Sequence, residues 1–306
     1  MKRLYIHVGF HKTATTYVQQ FLKRNQPIFS RQLRYYRDKI YCRKPWGHHV
    51  LAASIRRTEH PEIRISETRE ILWGRFLDAV RRCQQDRILI SSEVFLEGVD
   101  FDFLGDVLAS TNVTFIFYVR RQDEFFASVY AERCKHGCSD SVSEFYNRWK
   151  GSRGFTFLGR IEAFERITPN ATVIVREYNP RLFPAGDIAL DLLNAVGVQL
   201  SEAERRRLKQ VRRQNQRWPH EFVELLTRFN RLPVSHAKKI AFRHYLMEVM
   251  EREPAVSQLP SFQIDEGLRR EILEMAAENN LRLVRKYPVD GEFFNETSIR
   301  ETRKAA

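Results

Sequence analysis

The feature of this sequence that most constrains its fold is an alternation of short apolar runs with helical patterns. The runs are rich in β-branched and aromatic residues, as is typical of buried strands, and they lie at 4–10, 88–90, 113–119 and 172–176. Helical patterns lie at 15–22, 68–84, 121–130 and 187–196. Strands that alternate with helices predict parallel pairing. We therefore expect an α/β fold, a three-layer parallel sheet, up to about residue 197.

The last hundred residues carry helical patterns without strands. These patterns lie at 201–211, 219–229, 236–253 and 266–287. No repeat or low-complexity tract separates them from the preceding segment. The sequence thus predicts one domain over 1–306, with an α/β core at 1–200, a helical extension at 201–287 and a fraying tail at 288–306.

Composition narrows the class of protein. Hydrophobic residues make up 43% of the 306 residues, which is enough for a substantial core. No apolar run approaches the ~18 residues that a membrane span needs, so we expect a soluble, cytoplasmic protein without a transmembrane segment. Four cysteines in a chain of this length do not form a disulfide framework. Cys134 and Cys138 enclose His136, but no second ligand pair accompanies them, so we expect no metal.

A formal net charge of +13 points to anionic partners such as a nucleotide, an acidic glycan or an anionic lipid surface. The charge is concentrated in residues 31–64 and 201–218. Each stretch is either a solvated face or the wall of a polyanion site. His48 and His49 fall in the first stretch, on what reads as a loop. They are candidates for contact with an acceptor substrate, and the alternative is that they fill the core or the surface.

The segment that follows the first apolar run has the composition of an anion-binding loop. It reads His11, Lys12, Thr13, Ala14, Thr15 and Thr16. Backbone N–H groups at a helix start, threonine hydroxyls and a lysine ammonium would converge where a phosphate or sulfate sits. The alternative is a threonine-capped helix after a buried strand.

Two later strands end in side chains that suit the same chemistry. Glu93 follows the run at 88–90, at the edge where open α/β sheets collect ligands. Arg120 ends the run at 113–119, and Ser128 lies eight residues later in a helical pattern. Both are placed to contact one phosphate. The alternative for both Glu93 and Arg120 is an ordinary solvated charge at a strand end.

These motifs resemble those of the bacterial sulfotransferases that use 3′-phosphoadenylyl sulfate. The first loop is similar to the family's His-Lys-Thr-Gly-Thr-Thr, with Ala14 in place of the glycine. Arg120 and Ser128 match the arginine and serine of its 3′-phosphate motif, whereas Phe125 stands where a second arginine is frequent. The resemblance implies a P-loop NTPase-like sheet of the sulfotransferase type. It also implies that residues 11–16, Arg120 and Ser128 bind the donor.

A third segment resembles the family more weakly. In that family an Asn-x-Ser segment precedes a helix. Here the residues before the predicted helix include Arg212, Arg213 and Asn215. Arg217 stands in place of the serine. The resemblance makes these three residues candidates for closing over the donor.

The implied reaction moves a sulfuryl group to a hydroxyl. Lys12 would stabilise the leaving phosphate. Glu93 would be the base, as a glutamate is in several glycan and protein sulfotransferases. A histidine is the alternative base, since the small-molecule enzymes of the family use one. The basic stretches favour a carbohydrate or glycolipid acceptor, and peripheral contact with an anionic membrane stays open. The donor carries its own activated bond, so no metal is needed.

Two other classes of protein remain alternatives. A P-loop kinase would carry a glycine just before Lys12, but the nearby glycine is Gly9, three positions upstream. A non-enzymatic binder of nucleic acid or membrane fits the net charge, yet the aromatic residues fall on buried stripes and do not interleave with the basic runs. The prediction is therefore an enzyme that binds no nucleic acid. The sequence does not indicate an oligomeric state.

Overall fold

We describe a computed structural model of the chain. It describes residues 2–36, 38–42, 47–151, 155–211 and 217–304. The chain divides into two compact units. The first comprises Met1–Arg120, Phe157–Arg213 and Asn280–Ser298. The second comprises Arg121–Thr156, Gln214–Asn279 and Ile299–Ala306.

The first unit contains a parallel sheet of five strands. The strands are β1 (Arg3–Val8), β2 (Arg34–Tyr35), β3 (Arg87–Ser92), β4 (Val113–Val119) and β5 (Thr172–Glu177). Their spatial order is β2-β3-β1-β4-β5, and every pair is parallel. Leu4 pairs with Ile88 on one side of β1 and with Val113 on the other. The predicted α/β class and parallel sheet are confirmed, and β2 is a short strand that the sequence did not predict.

The helices of the described residues occupy both units. In chain order they are α1 (Thr15–Phe29), α2 (His49–Ser54), α3 (Arg69–Arg82), α4 (Phe101–Leu108), α5 (Gln122–Lys135), α6 (Val142–Trp149), α7 (Leu158–Glu165), α8 (Ile188–Ala195), α9 (Glu202–Arg206), α10 (His220–Arg231), α11 (His236–Arg252), α12 (Pro254–Ser257), α13 (Glu266–Lys286) and α14 (Glu296–Lys304). A 3-10 turn, Glu93–Leu96, follows β3. Helix α9 is shorter than predicted and ends at Arg206.

Helices cover both faces of the sheet, because successive strand side chains point to opposite faces. On one face Tyr5 and Leu89 belong to a buried cluster with α1 and α8. On the other face Ile6, Ile90 and Phe117 belong to a cluster with α3, α4 and α7. The three layers follow from this double burial, which also explains why the strands read as continuous apolar runs.

The second unit has a core of its own, built around aromatic side chains. Phe126 is fully buried and packs against Phe145, Tyr146 and Phe155. Nearby, the carboxylate of Asp123 is almost fully buried. It accepts hydrogen bonds from the Nε atoms of Arg121 and Arg269, at 2.7 Å and 2.8 Å. A buried carboxylate needs such partners.

The end of the chain differs from the predicted fraying tail. Phe294 is fully buried in the core of the first unit. The Glu177 carboxylate at the end of β5 accepts hydrogen bonds from the backbone N–H groups of Phe293 and Phe294, at 2.9 Å and 3.0 Å. The apolar side chains at these positions supply the burial that holds the segment in place.

Every helix in the described part of the chain is too short or too polar to cross a bilayer.

Candidate active site

The carboxyl ends of three neighbouring strands bring the predicted charged residues to one edge of the sheet. β1 lies between β3 and β4, and all three strands are parallel. Lys12 follows β1, Glu93 follows β3 and Arg120 follows β4. The chain leaves β1 towards β2 on one side and leaves β4 towards β5 on the other. In open α/β sheets, ligands usually bind where neighbouring strands diverge in this way.

The loop between β1 and α1 has an unusual backbone. Lys12 and Ala14 have φ values of +66° and +58°, in the left-handed region. Ala14 stands at the N-cap of α1 and, lacking an acceptor, makes no side-chain cap. The first turn of α1 contains no acidic residue. Acidic side chains in that turn therefore do not neutralise the positive end of the helix dipole, which suits an anion.

Ala14 occupies a conformation that favours glycine. An alanine in place of the family's glycine causes strain only if the loop needs a positive φ at this position. The structure has φ +58° and ψ +29° there. A left-handed alanine costs about 1–2 kcal/mol. The surrounding structure therefore holds Ala14 in a strained conformation, as is common at binding loops.

Arg120 is held directly against this loop. One of its guanidinium nitrogens, Nη1, donates a hydrogen bond to the Lys12 carbonyl oxygen at 3.2 Å. The guanidinium carbon lies 5.5 Å from the centre of the Tyr178 ring, which follows β5. Arg120 is only 8% exposed. Lys12 and Arg120, which the sequence analysis predicted from two separate motifs, are therefore in contact.

The threonines of the loop have different positions. Thr13 is buried and its hydroxyl donates to the Phe10 carbonyl oxygen at 2.6 Å, which braces the loop internally. Thr15 is also buried, and its hydroxyl has no hydrogen-bond partner among the described residues. A Cβ on Gly9 would lie 2.2 Å from Thr15 Oγ1, so the loop requires glycine there. Thr16 is half-buried and remains a candidate for ligand contact.

His11 lies at the exposed outer side of the loop. Its Nε2 atom is 3.5 Å from the Glu97 carboxylate. Glu97 in turn accepts a hydrogen bond of 2.7 Å from Arg56 Nη1. These contacts tie the loop to the segment after the 3-10 turn.

Glu93 is the exposed member of a largely buried polar cluster. Gln19 Nε2 donates to Glu93 Oε2 at 3.3 Å, and His49 Nδ1 lies 3.9 Å from the same oxygen. Gln19 and His49 are buried, whereas the Glu93 side chain is 28% exposed. Buried side chains therefore orient the carboxylate, and the Glu93 side chain is partly exposed to solvent.

The two histidines proposed as acceptor contacts are both buried. His48 has no exposed surface, and its Nδ1 atom accepts a hydrogen bond of 3.1 Å from the Ser91 backbone N–H. Burial lowers the pKa of His48 to about 3, so the ring is neutral. The burial of His48 agrees with the alternative interpretation, in which this histidine fills the core. His49 Nδ1 shares a hydrogen bond of 2.8 Å with Ser92 Oγ, and it lies beside Glu93.

The remaining predicted residues are Ser128, Arg212, Arg213 and Asn215. Ser128 is half-buried in α5. The boundary between the two units falls after Arg120, so the arginine and serine of this motif belong to different units. Arg212, Arg213 and Asn215 lie outside the described residues.

Sequence reasoning missed several polar residues beneath the site. His7 in β1 is fully buried, shares a hydrogen bond of 2.9 Å with Ser91 Oγ, and has its pKa lowered to about 4 by burial. Gln19 lies on α1 and reaches both Ser91 and Glu93. One signal was present: Gln19 is four residues after Thr15, hence on the same helix face.

The arrangement combines two chemical capabilities. On the β4 side, Lys12, Arg120 and the start of α1 carry positive charge, which is the chemistry that suits an anion. On the β3 side, Glu93 offers a carboxylate that is fixed in place and accessible. Glu93 follows β3, and β3 is the neighbour of the strand that Lys12 follows. Proton abstraction beside a bound anion would need a carboxylate and cationic groups of this kind.

Comparison with known proteins leaves the family open. No protein-family model matches the chain, and no solved structure matches it. The chain is similar to an uncharacterized protein of Archaeoglobus fulgidus, with 28% identity over 206 residues. That alignment covers 65% of this chain and 53% of the archaeal protein. The chain thus spans about half the length of the relative that it matches.

Proposed function

We propose that this chain is a sulfotransferase that moves a sulfuryl group from 3′-phosphoadenylyl sulfate to a hydroxyl of a carbohydrate or glycolipid. The proposal includes the fold type, a P-loop NTPase-like sheet with a helical extension. One observation carries it: Lys12, Glu93 and Arg120 follow three adjacent parallel strands, and Arg120 donates to the Lys12 carbonyl oxygen at 3.2 Å.

Lys12 and the start of α1 take the donor's 5′-phosphosulfate. The ammonium and the backbone N–H groups face the leaving phosphate, where negative charge builds as the sulfur–oxygen bond breaks. The left-handed residues Lys12 and Ala14 shape the backbone into a concave surface of N–H groups, which is a common way to bind phosphate.

Arg120 takes the 3′-phosphate. Arginine suits this role because its planar guanidinium pairs with two phosphate oxygens at once. The hydrogen bond to the Lys12 carbonyl and the ring of Tyr178 hold the guanidinium before a ligand arrives. Ser128 stays a candidate for donor binding through the resemblance of its motif alone.

Glu93 acts as the base. The acceptor O–H bond breaks and its proton moves to the carboxylate. The acceptor oxygen forms a bond to sulfur, and the sulfur–oxygen bond to the phosphate breaks with its electron pair going to the phosphate oxygen. The products are the sulfated acceptor and adenosine 3′,5′-bisphosphate. A well-placed base contributes about 10²–10⁴-fold to the rate.

The test combines ligand binding with transfer. Adenosine 3′,5′-bisphosphate should raise the melting temperature of the protein, because a ligand that binds only the folded state stabilises it by mass action. Incubation with ³⁵S-labelled donor and a panel of neutral and acidic glycans should label at least one of them.

Each alternative gives a different result. Stabilisation by ATP with magnesium, and not by the bisphosphate, would indicate a kinase. Steeply salt-dependent DNA binding that Lys12→Ala leaves unchanged would indicate a polyanion binder. Absence of both bisphosphate binding and sulfate transfer would overturn the proposal.

A further inference from the structure

One oxygen of the Glu93 carboxylate is held by its surroundings and the other is not. Oε2 accepts a hydrogen bond of 3.3 Å from Gln19 Nε2 and lies 3.9 Å from His49 Nδ1. Among the described residues, no hydrogen bond to Oε1 accompanies these contacts. The carboxylate is therefore anchored through one oxygen, while the other is available at the partly exposed end of the side chain.

The orientation of the Gln19 amide follows from its other partner. Gln19 Nε2 also lies 3.4 Å from the Ser91 carbonyl oxygen and 3.4 Å from Ser91 Oγ. A carbonyl oxygen and a carboxylate only accept hydrogen bonds, so the amide must turn its NH₂ group towards both. Gln19 is fully buried, which prevents the amide from rotating into solvent. The donor that faces Glu93 is therefore fixed.

Gly47 keeps Gln19 and His49 close together. A Cβ at Gly47 would lie 2.4 Å from the His49 ring atoms Cε1 and Nε2 and 2.6 Å from Gln19 Nε2. The backbone of residue 47 thus packs against both side chains that approach Glu93. Any larger residue would displace one of them.

We propose that Gln19 is a positioning residue for the transfer reaction, which holds one oxygen of Glu93 so that the other receives the acceptor's proton. This inference rests on the proposed function and deepens it. Gln19 gives up no proton: it donates a hydrogen bond to the carboxylate before and during the step. The acceptor's O–H bond breaks, and its proton moves to Glu93 Oε1.

The main test is a matched pair of substitutions on α1. Gln19→Met keeps the length of the side chain and removes the donor. Gln20→Met makes the same change at a half-buried neighbour and is the control. We expect Gln19→Met to lower kcat for sulfate transfer by tenfold or more, because a hydrogen bond to a charged group is lost. The donor KM should stay within twofold, and Gln20→Met should match the wild type.

A double-mutant cycle separates positioning from a general structural effect. If Gln19 acts through the carboxylate, Gln19→Met should have no further effect on kcat in a Glu93→Gln background. Gln19→Asn, which draws the amide back by one methylene, should resemble Gln19→Met. Because Gln19→Asn keeps a polar amide in the buried site, it serves as the test if Gln19→Met does not fold.

The outcomes distinguish this inference from the proposed function. A wild-type protein that transfers no sulfate and binds no bisphosphate overturns both. A wild-type protein that transfers sulfate, with Gln19→Met and Gln19→Asn both as active as Gln20→Met, overturns the positioning role alone. The positioning role is also overturned if Gln19→Met lowers kcat by the same factor in the Glu93→Gln background as in the wild type.

Discussion

The two sides of the loop after β1 are built in different ways. On the β4 side, Arg120 donates to a main-chain oxygen of Lys12, and the groups proposed to bind an anion are the backbone at Lys12 and Ala14 and the start of α1. On the β3 side, Glu93 is oriented by side chains, from Gln19 of α1 and His49 of α2. One side depends on local backbone shape, and the other depends on packing between elements distant in sequence.

This difference separates binding from chemistry. A site made of backbone N–H groups and fixed cations recognises an anion by charge and shape. A single carboxylate with one fixed oxygen is suited to taking a proton from a defined direction. We therefore expect substitutions on the β4 side to affect ligand affinity, and substitutions on the β3 side to affect the rate of transfer.

The largest expected effect is on the β3 side. Glu93→Gln should lower kcat by about 10²–10⁴-fold, since the amide cannot accept the proton. Affinity for adenosine 3′,5′-bisphosphate should stay unchanged, as measured by calorimetry. Asp102→Asn, the same change at an exposed carboxylate, is the control. A Glu93→Gln protein that keeps its rate, or that loses bisphosphate affinity instead, would break the comparison.

The next effect concerns the backbone of the β4 side. Gly9→Ala should lower the free energy of unfolding by about 1–3 kcal/mol, because its Cβ would lie 2.2 Å from Thr15 Oγ1. Adding Thr15→Ala should restore part of the loss, since the colliding atoms are gone. Gly159→Ala, which meets nothing within 4 Å, is the matched control. Chemical denaturation measures all three; equal stability of Gly9→Ala and Gly159→Ala would contradict the account.

The buried histidines beneath the site predict a pH dependence of stability. Burial lowers the pKa of His7 to about 4 and of His48 to about 3, whereas both have values near 6.5 when unfolded. The unfolded state therefore binds protons first as the pH falls. Stability is complete above pH 6.5 and is lost towards pH 4, by about 1.4 kcal/mol per pH unit for each histidine.

The measurement for this prediction is the unfolding free energy between pH 6.5 and pH 4.5. The slope against pH should be smaller in a variant with both His7→Gln and His48→Gln. A slope identical to that of the wild type would show that neither buried ring contributes.

The smallest expected effect is at Ala14. Ala14→Gly should raise the unfolding free energy by about 1 kcal/mol, because glycine adopts a φ of +58° without strain. Ala241→Gly, at an exposed position inside α11, should change stability by a similar amount in the opposite direction. The same sign for both substitutions would contradict the strain at Ala14.

The two sides of the loop also differ in how far the sequence predicted them. The strands at β1, β3, β4 and β5, the lysine loop and the arginine after β4 all lie in contiguous motifs, and local pattern was enough to find them. Gln19 and Gly47 acquire their positions only when α1, α2 and β3 pack together. The burial of His48 could not be predicted, because no local pattern shows that its Nδ1 pairs with the Ser91 backbone N–H.

The other misses have physical reasons too. β2 has two residues, too few for a periodic pattern, and its pairing with β3 defines it. The predicted tail is ordered by Phe294 and by the Glu177 carboxylate, which is 117 residues away in sequence. Contacts between residues this far apart in sequence produce no pattern within a short sequence window.

The measurement that tests the central claim most directly is calorimetric titration with adenosine 3′,5′-bisphosphate and with adenosine 5′-monophosphate. The wild type should bind the bisphosphate more tightly. Arg120→Ala should lose most of that preference, because it removes the partner of the 3′-phosphate. Lys12→Ala should weaken the binding of both nucleotides by tenfold or more. Equal affinity of the wild type and both variants for the bisphosphate, or no binding by the wild type, would contradict a single site gripped by Lys12 and Arg120.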